Sequence, residues 1–282
     1  MAEMTGNPEG GVPEGGILTL RVARYDPERD SAARMQEWKV KILPGMTVLD
    51  ALFAVKEEQD GSVAFRCSCR MGVCGSCGMF INGKPRLACN TQISELGSVV
   101  EVAPLPNHDA IKDLVPDLAP TFRRHRAVLP YVIRSDVAEM ESPTREFGQT
   151  PEELARYVQF TYCLKCSLCL AACPTVSTSE QFLGPQALAQ VYRFVADSRD
   201  EGLSERAGVV DVSHGVFGCH LAGACSEACP KGVDPALGIQ LLKRSLFVGP
   251  PHAAPAQVVP AFPEGYRTPE AAERPKAPPP SV

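Results

Sequence analysis

The chain has 282 residues, enough for one large domain or two smaller ones, and its 44% apolar and 22% charged residues are an ordinary globular balance. Its 28 basic and 33 acidic residues give a formal net charge of −5, which argues against nucleic acid as a partner. No run of about 18 apolar residues is present, so no membrane span is predicted. The first residues lack the apolar core of a signal peptide, so a cytoplasmic location is predicted.

The first half of the chain is predicted to form a small mixed sheet with one helix packed across it. A helix is predicted over 44–59, with Thr47 as its N-cap. The pair Asn82-Gly83 between two apolar runs predicts a hairpin within 78–89. Further strands are predicted from alternating or closing apolar patterns at 17–25, 36–43 and 98–105.

The second half is predicted to be helical. Thr150 is expected to cap the first helix, with Glu153 at the capping-box position, and Asp234 is expected to cap the last. The predicted helices cover 150–162, 184–198 and 234–247. In the first of them, one face is expected to consist of Leu154, Tyr157, Val158 and Thr161.

These patterns predict an α+β chain in which a sheet domain precedes an all-α domain. The sheet domain is assigned to 17–118 and the helical domain to 119–249, with a proline-rich linker near 105–120. Residues 1–16 are rich in Gly and Pro and are predicted to form a mobile arm. Residues 250–282 are rich in Pro and Ala and are predicted to form an extended tail that wraps a neighbour as a strap.

The chain contains 12 cysteines. Disulfides are rare in the cytoplasm because thiols are kept reduced there, so these cysteines are predicted to bind metal.

Four cysteines of the first half show the C-x4-C-x2-C spacing with a distant fourth member that is typical of plant-type 2Fe–2S ligands. Glycines stand between them, and glycine lets the backbone approach a cluster closely and adopt positive φ. A structural zinc site also uses four thiolates, but it favours paired C-x2-C knuckles. The predicted 2Fe–2S ligands are Cys69, Cys74, Cys77 and Cys89. Cys67, two residues before the first ligand, is expected to be a buried free thiol.

Two cysteine runs mark the second half. The first has the spacing C-x2-C-x2-C-x3-C-P of bacterial ferredoxins and consists of Cys163, Cys166, Cys169 and Cys173 followed by Pro174. The second has the spacing C-x5-C-x3-C-P and consists of Cys219, Cys225 and Cys229 followed by Pro230. In the bacterial pattern, the fourth cysteine of each run binds the cluster of the other run.

This crossing rule predicts two unequal sites. The first is a 4Fe–4S site made by Cys163, Cys166, Cys169 and Cys229. The second receives only Cys173, Cys219 and Cys225, because Ala222 stands where the run would place a fourth ligand. Three thiolates predict a 3Fe–4S cluster. The alternative is a 4Fe–4S cluster with a ligand that is not cysteine, for which His220 is the candidate.

The order of these cysteines resembles the iron–sulfur subunit of succinate dehydrogenase and fumarate reductase, the respiratory complex II family. The resemblance covers 17–248 and includes SCRMGVCGSC, NGKPRLAC, CLKCSLCLAACP, FLGP, DSRDEG and CSEACPKGVDP. It implies a plant-type ferredoxin (β-grasp) domain followed by a bacterial-type ferredoxin domain.

The family's function implies that single electrons pass between the FAD of a flavoprotein subunit and a membrane quinone. The clusters act in the order 2Fe–2S, 4Fe–4S, 3Fe–4S, and the chain has no substrate chemistry of its own. The implied partners are the flavoprotein, hydrophobic membrane-anchor subunits and quinone; haem, where present, belongs to the anchor chains. The implied location is the cytoplasmic face of the cell membrane. Succinate oxidation is favoured here over quinol:fumarate reduction, which uses the same ligands.

The resemblance also implies quinone contacts at Pro174, His220 and Lys243. Each has a simpler role available: Pro174 as the proline that ends a cluster run, His220 as a donor to sulfide, and Lys243 as a solvated side chain. Ubiquinone-using relatives often carry tryptophan just after the Cys-Pro pair, whereas this chain has 176–178, Val-Ser-Thr. This departure favours menaquinone.

Two further readings use the same ferredoxin modules. Thiol-linked fumarate reductases and heterodisulfide reductases join them to Cys-Cys-Gly repeats, but this chain has no Cys-Cys pair. A soluble ferredoxin-like carrier would lack the flavoprotein and anchor chains, so co-purification separates that reading from a complex.

Overall fold

The computed structural model describes residues 15–144, 146–252 and 258–259. It confirms the predicted α+β class, with the main sheet in the first half of the chain and the helices concentrated in the second. None of the helices in these described ranges combines the length and the apolar composition needed to cross a bilayer.

A five-stranded sheet with the order β2-β1-β5-β3-β4 forms the first half. Strand β1 pairs antiparallel with β2 and parallel with β5, and β3 pairs antiparallel with both β4 and β5. The helix α1 packs on the sheet and buries Leu49, Leu52 and Val55. The elements are β1 (Ile17–Arg24), β2 (Arg34–Lys41), α1 (Val48–Glu58), β3 (Gly78–Ile81), β4 (Lys84–Leu87) and β5 (Val99–Ala103).

Local chemistry explains where these elements begin and turn. The Thr47 hydroxyl accepts a hydrogen bond from the Asp50 N–H at 3.2 Å, and the Asp50 carboxylate accepts one from the Thr47 N–H at 2.9 Å. This capping box confirms the predicted helix start. Asn82 and Gly83 have φ of 45° and 76°, as a two-residue hairpin turn of this hand requires, so the predicted hairpin is confirmed.

The segment predicted as a linker is folded onto the sheet domain. It forms a small hairpin of β6 (Ala110–Lys112) and β7 (Val115–Pro116). At its tip Asp113 is 2% exposed, and its carboxylate lies 3.0 Å from Arg24 Nε and accepts the N–H groups of Tyr25 and Ala64. The prediction of a linker was wrong for this part because prolines also end short strands, and a buried ion pair cannot be read from them.

The helical half is built around two packed helices, α8 (Gly184–Val195) and α11 (Pro235–Val248). Asp234 caps α11 as predicted, accepting the Leu237 N–H at 3.1 Å. The shorter helices of this half are α2 (Ala119–Ala127), α3 (Val137–Glu141), α4 (Pro151–Ala155), α5 (Val158–Thr161), α6 (Leu168–Ala171), α7 (Pro174–Thr178), α9 (Leu203–Val210) and α10 (Ala224–Glu227).

The helix predicted over 150–162 is interrupted. Thr150 caps it as expected, but α4 ends at Ala155 and α5 begins at Val158, with Tyr157 at φ −135°. Tyr157 is buried at this break. Its hydroxyl donates to Gln149 Oε1 at 2.7 Å and accepts a hydrogen bond from Arg199, so its polar atom is satisfied there. The predicted single face was wrong, since Leu154 and Thr161 are exposed.

Two residues of the predicted tail return to the helical half. Strand β9 (Val258–Val259) pairs antiparallel with β8 (Glu146–Phe147), so this part of the tail lies on its own chain. The predicted mobile arm lies outside the described residues except for 15–16, where the Gly15 N–H donates to the Ile42 carbonyl at 3.1 Å.

An ion pair shielded from solvent ties the loop after α2 to α9. Arg206 is 0% exposed, and its guanidinium lies 2.6 and 3.0 Å from the two carboxylate oxygens of Asp200. It also donates to the carbonyl oxygens of Leu129 and Tyr131, while Asp200 accepts the Ile133 N–H. A buried charge needs such a complete set of partners.

We therefore expect Arg206→Met to lower the free energy of unfolding by about 3–5 kcal/mol, because it leaves the Asp200 carboxylate buried without its cation. The matched control is Arg21→Met, which removes the exposed pairs with Glu37 and Glu101 and should cost about 0–1 kcal/mol. Urea denaturation followed by circular dichroism measures both changes. Equal losses in the two variants would contradict this account.

Candidate iron–sulfur centres

The loop between α1 and β3 curls around the first four cysteines. Cys69 Sγ accepts the backbone N–H groups of Met71, Val73 and Cys74 at 3.4, 3.4 and 3.3 Å. Arg70, Gly72 and Gly75 have φ of 56°, 68° and 76°, and these left-handed residues turn the N–H groups inward. Such donors stabilise a sulfur that carries negative charge.

Cys69, Cys74 and Cys77 lie in this loop, Cys89 follows β4, and the four thiols form one group. The Cys69 N–H lies 3.5 Å from Cys74 Sγ, and the Cys89 N–H lies 3.5 Å from Cys77 Sγ. A hydrogen bond from Ser76 is the largest cause of the lowered pKa of the Cys74 thiol, about 6, whereas burial raises the pKa of Cys77 to about 12. A metal that binds all four as thiolates must overcome the burial cost at Cys77.

The first cavity of the helical half is lined by the four thiols Cys163, Cys166, Cys169 and Cys229. Burial raises the pKa of Cys166 to about 11 and that of Cys169 well above its ordinary value. The Val233 N–H lies 3.4 Å from Cys229 Sγ. The structure thus brings in the fourth thiol from the second run, 60 residues after Cys169, the nearest in sequence of the other three.

The second cavity is lined by three thiols, those of Cys173, Cys219 and Cys225. Ala222 lies on the same wall, and burial raises the pKa of Cys225 to about 11. His220 also lines this cavity, so an imidazole is present beside the three thiols.

The donor set fits iron–sulfur clusters. Each group consists of soft thiol donors around a space, and in the first two groups backbone N–H groups also lie beside sulfurs, which is the environment that such clusters require. Within the described residues, no three His, Cys, Asp or Glu side chains converge closely enough to share one metal ion. No iron of these clusters takes more than two protein thiolates, so three side chains need not converge on one metal ion.

Glycine brings the first thiol group against the second. A Cβ atom built on Gly75 would lie 2.7 Å from Cys166 Cβ, and one on Gly78 would lie 3.2 Å from the Cys166 carbonyl oxygen. Real Cβ atoms essentially never approach to 2.7 Å, so only glycine permits this contact.

The three residues expected to contact quinone do not all line the same cavity. Pro174 and His220 are exposed and line the second cavity, whereas Lys243 is half-buried on α11 and is not among the residues that line it. Lys243 lies one turn after Ile239, which does line the cavity. Cys67 is partly buried and packs against the core of the sheet domain.

Sequence reasoning did not single out two side chains beside these cavities. Asn107 Nδ2 donates to the carbonyl oxygens of Leu170, Ala171 and Cys173 at 2.9, 3.2 and 3.3 Å, which joins the two halves at the end of α6. Gln186 lines the first cavity from α8. Both act across more than 20 residues of sequence, where periodicity and spacing carry no signal.

Two known families match the chain. One, described as a 2Fe-2S iron-sulfur cluster binding domain, matches residues 19–123, and the other, described as a 4Fe-4S dicluster domain, matches residues 159–233. The order of these domains is the order predicted from the cysteine patterns.

Relatives match over most of their length. The fumarate reductase iron-sulfur subunit of Mycobacterium tuberculosis is 43% identical over 80% of this chain and 91% of its own. The succinate dehydrogenase iron-sulfur subunit of Paracoccus denitrificans is 36% identical over 83% of this chain and 90% of its own.

Among solved structures, a chain of the Mycobacterium smegmatis Sdh1 complex in the apo form matches with a TM-score of 0.72 and 27% identity, over 82% of this chain and 95% of that chain. The fold, the two cluster-domain matches and these relatives lead to one conclusion: the chain belongs to the family of iron–sulfur subunits of succinate dehydrogenase and fumarate reductase.

Proposed function

We propose that the chain is the electron-relay subunit of a succinate:quinone oxidoreductase, passing single electrons between the FAD of a flavoprotein subunit and a membrane quinone. The observation that carries this proposal is the continuity of the three thiol groups. Gly75 places the first group against Cys166 of the second, and both cysteine runs supply thiols to the second and the third.

The proposed ligands follow the three groups. Cys69, Cys74, Cys77 and Cys89 would hold a 2Fe–2S cluster; Cys163, Cys166, Cys169 and Cys229 a 4Fe–4S cluster; and Cys173, Cys219 and Cys225 a 3Fe–4S cluster. When bound, these groups supply one-electron redox chemistry. The protein's part is to hold the thiolates, direct N–H groups at their sulfurs and bring the loops close together.

The partners are assigned from the exposed surface and from the family. Beside the third group, Phe217 and Leu221 are 46% and 55% exposed, which suits a hydrophobic anchor subunit. Pro174 and His220 line the cavity of the third group, and we propose them as quinone contacts. We propose Lys243 as a third contact, because it lies one helical turn after Ile239, which also lines this cavity. The anchor would hold the chain at the cytoplasmic face of the membrane.

Menaquinone is the proposed quinone. Just after the Cys173-Pro174 pair the chain has Val176, which is 6% exposed, followed by the exposed Ser177 and Thr178. Positions 176–178 therefore supply no large aromatic ring to stack on the quinone head.

Quinol:fumarate reductase is the second candidate function. It would use the same ligands and the same relay in reverse, and the relative at 43% identity is named as a fumarate reductase iron-sulfur subunit. The direction depends on the potentials of the clusters and the quinone, which the ligands alone do not determine.

The test is electron paramagnetic resonance (EPR) of the isolated complex, oxidised and then reduced with dithionite. We expect a 3Fe–4S signal in the oxidised state and 2Fe–2S and 4Fe–4S signals after reduction. Co-purifying flavoprotein and anchor chains should reduce quinone with succinate. Two 4Fe–4S signals without an oxidised-state signal would refute the three-thiolate site, and purification without partners would favour a soluble carrier.

The variant Ala222→Cys should convert the third centre from a 3Fe–4S cluster to a 4Fe–4S cluster. It adds a thiol to the cavity wall that already carries Cys173, Cys219 and Cys225, so a fourth iron gains a ligand. We expect the oxidised 3Fe–4S signal to be lost and iron content to rise by one per chain. The control Ala222→Ser keeps the size but lacks the soft donor and should retain the 3Fe–4S signal. An unchanged signal in Ala222→Cys would contradict the proposed geometry.

The variant Gly75→Ala should separate the first two groups. Its Cβ must move from 2.7 Å to at least 3.4 Å from Cys166, and overpacking of this kind costs about 1–3 kcal/mol. Gly72→Ala is the control: its φ of 68° carries a similar backbone strain, but its Cβ meets Asn90 at an ordinary 3.7 Å. Single-turnover transfer between the two clusters should slow in Gly75→Ala more than in Gly72→Ala. Equal rates would show that the contact does not set the transfer distance.

A further inference from the structure

Gln186 is a buried amide on the wall of the first cavity of the helical half. It is 2% exposed and lies in the first turn of α8, among the residues that line the space between Cys163, Cys166, Cys169 and Cys229. Its Oε1 atom has no hydrogen-bond partner among the described residues. Burying an amide with an unmet acceptor has a cost, so its other contacts must account for its position.

Those contacts converge on its nitrogen. Gln186 Nε2 lies 3.2 Å from His125 Nδ1 and 3.9 Å from Cys163 Sγ. An amide nitrogen carries two hydrogens, so one group can donate to both neighbours. A carbonyl oxygen in the same place would face the sulfur that carries negative charge as a metal ligand. The charge on the sulfur therefore favours the orientation with nitrogen towards Cys163.

His125 suits the role of holding this amide. It lies on α2, which packs against α8, and the tautomer with its hydrogen on Nε2 leaves Nδ1 free to accept. Burial, with a smaller contribution from the charge of Lys165, lowers the pKa of His125, which keeps the ring neutral. A neutral ring with a free Nδ1 fixes the amide through one hydrogen and leaves the second for the sulfur.

We propose that Gln186, oriented by His125, donates a hydrogen bond to the Cys163 thiolate and thereby raises the reduction potential of the 4Fe–4S cluster. A reduced cluster places more negative charge on its sulfurs, so a donor at the sulfur stabilises the reduced state more than the oxidised state. The inference rests on the ligand assignment under the proposed function. Gln186 is then a tuning residue for the middle centre of the relay, and His125 is its positioning residue.

The test is a redox titration of the purified complex, monitored by EPR at the 4Fe–4S signal, with Gln186→Met. Methionine keeps the length and burial of the side chain but removes the donor. Loss of a hydrogen bond to a charged group should lower the equilibrium constant for one-electron reduction about tenfold. That fold-change corresponds to a potential about 59 mV more negative for a one-electron couple. The 2Fe–2S and 3Fe–4S potentials should not move.

The matched control is Gln190→Met. Gln190 is also buried on α8 and donates to the Phe160 carbonyl at 2.8 Å, but it is not among the residues that line the cavity. It loses a similar hydrogen bond without changing a donor to sulfur, so its 4Fe–4S potential should equal that of the unmodified complex. An equal shift in both variants would overturn the proposal, because it would indicate a general effect of loosening α8.

A second variant keeps Gln186 itself. His125→Phe removes the acceptor that orients the amide, and we expect a shift in the same direction that is smaller than in Gln186→Met. If the 4Fe–4S signal is intact and its potential is unchanged in both Gln186→Met and His125→Phe, this inference is overturned. The proposed electron relay would not be affected by that result. An unmodified complex without a 4Fe–4S signal would overturn the ligand assignment and this inference together.

Discussion

Each cysteine run of the helical half supplies thiols to both cavities, and the surrounding structure depends on this shared arrangement. The first cavity takes three thiols from the run at 163–173 and one from the run at 219–229, and the second cavity takes one and two. Neither cavity is complete unless both runs are in place. The pair α8 and α11 provides the packed core that brings the runs together. Because burial raises the pKa of several of these thiols, a metal that binds them as thiolates would have to offset the cost of their ionisation, which would couple metal binding to folding.

The two halves of the chain meet at the same centre. Gly75 and Gly78 of the sheet domain contact Cys166. Asn107 donates hydrogen bonds to three carbonyl oxygens around the end of α6. These contacts involve two glycines, which have no side chain to contribute, and an amide that satisfies backbone acceptors. The domain interface therefore combines close backbone approach of the cysteine loops with apolar packing, since Leu168 and Ala171 of α6 are buried in the same core as the sheet domain.

Much of this arrangement could be predicted from sequence because its signals are local. The capping box at Thr47, the turn at Asn82-Gly83 and the cap at Asp234 each depend on residues within a few positions, and all three are present. The cysteine spacings predicted which thiols share a cavity, since the crossing rule is a property of the motif. What failed depended on distant partners. The break at Tyr157 is stabilised by Gln149 and Arg199, and the folded segment at Asp113 by Arg24. Gln186 gave no signal because His125 lies 61 residues away.

The short helices α6 and α10 set the separation between the two cavities of the helical half. Cys169 and Cys173 are four residues apart across α6, and Cys225 and Cys229 are four apart across α10, so in each run one helical turn carries the backbone from one cavity to the other. Adding a single residue to either turn would rotate the later cysteine by about 100° around the helix axis and point it away from its cavity. The separation of the two cavities is thus set twice in the chain by a four-residue spacing between cysteines, and surface substitutions that preserve this spacing leave the separation unchanged.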